Sequence, residues 1–94
     1  MNNETTVKVY VPVEVAFESD GRMLPRAIIW EDGRKYTIDK ITDARPAVAM
    51  KAGCRGYRYT IWIQGRQSYL FFERYDSVFD WHVGHWFVER RRAA

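Results

Sequence analysis

The chain has 94 residues, 47% of them hydrophobic and 29% charged, a length that holds one domain, 1–94, and a mixture that excludes a disordered chain. The formal net charge of +3 argues against a strong electrostatic footprint, and no apolar run approaches the roughly 18 residues of a bilayer-spanning helix. A single cysteine, Cys54, excludes an internal disulfide framework.

Val7, Val9, Val11, Val13, Val15 and Phe17 alternate with Lys8, Tyr10, Pro12, Glu14 and Ala16, a period-2 pattern that predicts a strand with one apolar face on the core. Pro12 has no N–H to give a ladder, so this strand is expected at an edge or with a bulge. Asp20-Gly21 and Asp32-Gly33 predict tight turns on either side of a second strand, Leu24 to Trp30. The third strand, Lys35 to Ile41, places Tyr36 and Ile38 on one face and Lys35, Thr37 and Asp39 on the other. Residues 43–56 break the alternation. The Ala-rich stretch 44–53, with Pro46 suited to a first helical turn and Gly53 to the position past a helix end, predicts a short helix or an irregular loop.

Tyr57, Tyr59, Ile61 and Ile63 then alternate with Arg58, Thr60 and Trp62 in a fourth strand, and Gln64-Gly65 turns the chain into a fifth, Arg66 to Glu73. There Leu70 and Phe72 share one face, and Tyr69 and Phe71 the other. Arg74 to Asp80 is expected as a loop. Trp81 to Glu89 is expected as a sixth strand, with a short helix as the alternative. An ordered core of about 6–89 is followed by a basic tail, 90–94, that opens on Arg90-Arg91-Arg92. Six short strands with two-sided aromatic content must close or stack, which predicts an all-β, six-stranded, partly open barrel of the SH3-like or OB-like type. A β-sandwich of two three-stranded sheets is the alternative.

No phosphate-loop glycines, nucleophile elbow or cysteine pair with metal spacing occurs, so a non-catalytic domain without metal or cofactor is expected. On a strand, the spacing of His82 and His85 puts their rings on opposite faces and disfavours shared metal ligation. Cys54 has no sequence-local histidine to make it a nucleophile. The charge is uneven, −2 over residues 1–43 and +5 over 44–94, and 11 of the 15 basic residues are arginine. Arginine interleaved with aromatic rings is how small barrels hold single-stranded nucleic acid, with rings stacking on bases and guanidinium groups meeting phosphate. Arg58, Trp62, Arg66 and Tyr69 are the residues that pattern singles out, with Tyr10 and Phe71 as outward-facing companions. The competing reading is that barrel closure buries both faces. A protein-binding adaptor or inhibitor, using an aromatic groove or an open edge, is the second functional class. No signal peptide or membrane segment is read, which makes the cytoplasm the expected location.

Several stretches resemble a family of small uncharacterised proteins from Firmicutes and their mobile elements. They are Trp30 to Ile41, Asp43 to Ala47 with Lys51-Ala52-Gly53, Gly56 to Thr60, Gly65-Arg66, Tyr69 to Glu73, and Trp86 to Glu89, and together they cover most of residues 7–90. The family carries no assigned activity to transfer. Similar small domains beside DNA-repair or horizontally transferred genes give the resemblance a nucleic-acid setting. An inhibitor carried by a phage or mobile element fits it equally.

Overall fold

The computed structural model describes residues 5–47 and 54–92. Eight strands follow in chain order: β1 (Thr5–Tyr10), β2 (Val13–Phe17), β3 (Met23–Ile29), β4 (Lys35–Thr37), β5 (Lys40–Ala47), β6 (Cys54–Ile63), β7 (Arg66–Phe79) and β8 (His82–Arg92). They form two antiparallel sheets, one ordered β1-β8-β7-β6-β5 and the other β2-β3-β4. The protein is all-β, and no closed barrel is found among the described residues.

Six predicted strands become eight because two of them change sheet in mid-run. At the first corner the Val11 amide still donates to Trp86, extending the ladder of β1 on β8. Pro12 cannot donate next, and its carbonyl instead accepts from Ile29, which starts the pairing of β2 with β3. At the second corner Ile38 donates to Arg26 in the small sheet, and the very next amide, Asp39, donates to Trp62 in the large one. Strands that bend from one sheet to the other are how orthogonal packings make their corners. Bulges at Glu14/Val15 and at Ile41/Asp43 ease the bends.

The core lies between the sheets. Val11, Ile28 and Ile38 meet Tyr59, Ile61, Leu70, Phe72 and Trp86, with Val9, Val13, Val15 and Trp30 packed around them. The Tyr59 hydroxyl, buried with its ring, donates to the Met23 carbonyl at 2.8 Å and ties the sheets together. Burial raises the Tyr59 phenol above its ordinary value. Phe17, expected on the core face, stands 73% exposed at the end of β2.

Three expectations are corrected. Residues 44–47 are not helical; they belong to β5, where Pro46 is tolerated because β5 is a sheet edge and pairs only with β6. The rest of the expected helix, 48–53, lies outside the described residues. Arg74 to Asp80 is not a loop, since β7 runs to Phe79 with an irregular ladder between Arg74 and Phe79. The segment from His82 onward is the expected strand and not the alternative helix. That strand continues into the expected tail, where Arg90 pairs with Val7 and Arg91 with Thr6.

Candidate functional site

Among the described residues, the small sheet covers one face of the large sheet and leaves the other to its own side chains. Alternation puts Lys8 and Tyr10 of β1, His85 and Phe87 of β8, Tyr69, Phe71 and Glu73 of β7, and Arg58, Thr60 and Trp62 of β6 on that second face. Phe87 is 1% exposed and forms its floor, whereas Tyr10 is 52% and Tyr69 42% exposed.

Aromatic contacts run along this face without a gap. From the β7–β8 turn inward, ring centroids are 5.2 Å apart for His82–Phe79, 6.0 Å for Phe79–Tyr75 and 5.3 Å for Tyr75–His85. The strip continues with His85–Tyr10 at 4.5 Å, Tyr10–Phe87 at 5.8 Å and Phe87–Phe71 at 4.9 Å, the last pair stacked. Cations lie over neighbouring rings: Arg58 over Tyr69 at 4.6 Å, Lys40 over Trp62 at 4.9 Å and Lys8 over Phe87 at 4.8 Å. Beside Tyr69 and Phe71 an open groove of about 360 Å³ is lined also by Thr6, Gln67, Glu89 and Arg91.

Beneath the strip lies one acid with no exposed surface, Glu73. Lys8 Nζ donates to its Oε2 at 2.7 Å, and His85 Nε2 sits 2.8 Å and the Tyr10 hydroxyl 3.4 Å from its Oε1. A carboxylate has no proton to give, so His85 donates through Nε2, and its Nδ1 is hydrogen-bonded to the Tyr75 hydroxyl at 3.2 Å. Burial pushes the Glu73 carboxyl upward, but the hydrogen bonds and charges of Lys8 and His85 outweigh it and hold the group below its ordinary value. Burial, and then the nearby Glu73 charge, raises the Tyr10 phenol. Gly84 permits the close approach of β8 here: a Cβ at that position would stand 2.2 Å from the Glu73 carbonyl and 2.8 Å from Phe72 Cζ.

Of the residues singled out in the sequence, Arg58, Trp62 and Tyr69 share this face, as do Tyr10 and Phe71. Arg66 does not join them. It opens β7 opposite Ile63, on the alternate face, and is exposed. The arginines that follow the Asp20-Gly21 and Asp32-Gly33 turns pair with their own turn aspartates, Arg22 with Asp20 and Arg34 with Asp32. Sequence reasoning missed Glu73, Tyr75 and Lys8. The available signal was Glu73 itself, an acid on the aromatic face of a strand whose other face is Leu70 and Phe72. His82 and His85, expected on opposite faces, both contribute rings to the strip, where the β7–β8 ladder is irregular between Arg74 and Phe79. Among the described residues no three His, Cys, Asp or Glu side chains gather to hold a metal ion, and no helix is long and apolar enough to cross a membrane. Comparison with protein-family models, with curated proteins and with solved structures finds no match.

Proposed function

We propose that this chain is a small non-catalytic binding module that holds single-stranded nucleic acid along the open face of its five-stranded sheet. The observation that carries the reading is the continuous strip of rings with Arg58 and Lys40 laid over its neighbours Tyr69 and Trp62. Bases stack on such rings whatever their identity, and the cations meet the phosphates between them. His85 is tied at both ring nitrogens, which suits a positioned ring better than a proton shuttle. The two bent strands, together with the pairing of first and last strands, favour reading the paired sheets as one flattened, partly open barrel of the SH3-like or OB-like kind. A second reading, a protein-binding adaptor or inhibitor encoded by a phage or mobile element, draws on the sheet edges β1 and β5, which offer themselves to an added strand. The resemblance to small Firmicutes and mobile-element proteins accords with either.

Fluorescence anisotropy with a labelled oligodeoxythymidine tests the first reading. The logarithm of affinity should fall linearly with the logarithm of salt, with a slope of about −2 for three neutralised phosphates. Arg58→Ala combined with Tyr69→Ala should weaken binding by about tenfold or more, the loss of one stacking ring and one phosphate partner. No binding at low salt would refute the reading. Oligonucleotide-independent capture of one stoichiometric protein would favour the second.

A further inference from the structure

The tip of the β7–β8 hairpin is not accounted for by the strip. Trp81 is 93% exposed there, flanked by Phe79 at 60% and Val83 at 48%. Water gains nothing from an indole held out in this way, and such residues anchor contacts. The turn that carries it is also strained. Asp80 and Trp81 both have positive φ, 46° and 66°. The β6–β7 turn has the same two-residue form, but places glycine second: Gln64 at φ 52° and Gly65 at 77°. Glycine takes that conformation freely, whereas a bulky side chain is a true outlier there. Turn formation alone therefore does not explain Trp81.

We infer that Trp81 is a base-stacking wedge, and that the favoured ligand is a single strand joined to a duplex, with the strand on the strip and the duplex end against Trp81. The inference rests on the proposed function. Three features lead to it. The tip is continuous with the strip, since His82 stacks on Phe79 and Phe79 reaches Tyr75, so a strand lying on the rings runs onto the hairpin. The Asp80 carboxylate beside Trp81 repels phosphate, so the tip meets the face of a base and not the backbone. The end of a duplex presents a flat base pair that an apolar ring can cover, and apolar side chains are the usual wedges against base stacks.

The experiment compares a short labelled oligodeoxythymidine with the same strand joined to a blunt-ended hairpin duplex. The wild type should bind the junction about fivefold or more tightly than the tail, the lower end of what one stacked base contributes. Trp81→Ala and Trp81→Gly should bring the ratio of the two affinities to one, and Trp81→Phe should keep most of it. Trp81→Gly should also raise the Tm, because it relieves the positive-φ strain, which separates loss of the wedge from loss of the fold. Equal affinities for junction and tail in the wild type, or an undiminished ratio in Trp81→Ala, overturn the wedge and leave the proposed function standing. Binding to neither probe overturns both. Insertion of Trp81 into anionic vesicles with no junction preference assigns the tip to a lipid surface and also overturns the wedge.

Discussion

Glu73 shows what a single residue does in this protein. Its carboxylate is fully buried on a sheet face that is otherwise aromatic, and it is tolerable there because Lys8, His85 and Tyr10 supply donors. The folded state holds its proton less tightly than the unfolded chain does. The unfolded state therefore takes up more protons as pH falls, and the stability tied to Glu73 is full above the ordinary carboxylate value and lost as pH drops through the depressed one. Glu73→Gln should cost about 1–3 kcal/mol at neutral pH, at the lower end because Lys8 and His85 are each about a third exposed and rehydrate. Denaturant titrations between neutral and acid pH should show the wild type losing stability in that window and Glu73→Gln losing less. Parallel pH curves would contradict the assignment. Arg58 is the opposite case. Its Nε is covered and has no hydrogen-bond partner among the described residues, a cost set against the packing of its guanidinium on the Tyr69 ring. Arg58→Met keeps the packing of the stem and removes the orphan donor. It should leave stability unchanged or raise it by up to about 1 kcal/mol while weakening oligonucleotide binding. Equal loss of both would make Arg58 a structural residue.

At the level of elements, alternation was legible wherever one face of a strand met the core. Val7 to Val15, Tyr57 to Ile63 and Leu70-Phe72 all announce themselves by period 2. The corners were not legible, because Pro12 and Ile38 change sheet only by virtue of partners far away in the chain, Ile29 and Arg26. Ala44 to Ala47 carries no strand propensity of its own and is extended because β6 offers it a ladder, as Ala44 opposite Tyr59 and Pro46 opposite Tyr57 show. Glu73 and His85 become neighbours only through the β7–β8 register, in which they stand directly opposite each other. Gly84 makes that register possible. Gly84→Ala must push β8 from β7 and should destabilise the domain by about 1–3 kcal/mol. That corresponds to a fall in Tm of roughly 4–8 °C per kcal/mol for a domain of this size. Calorimetry showing an unchanged Tm would mean the strands are free to part there.

For the molecule as a whole, the two sheets share a single core, and the large sheet keeps a second face that the small one does not reach. The sequence raised the question of whether barrel closure buries both aromatic faces, and the answer lies in the corners. The chain bends so that β2, β3 and β4 pack against Ile61, Leu70 and Phe72, and the rings of Tyr10 and Tyr69 stay in water beside Lys8 and Arg58. The most direct test is a backbone amide NMR titration with an oligodeoxythymidine at low salt. Shifts should be confined to the second face, at Tyr10, Arg58, Trp62, Tyr69, Phe71 and His85, with β2 to β4 unmoved. Shifts centred on β2 to β4, or none at saturating oligonucleotide, would contradict the proposed function.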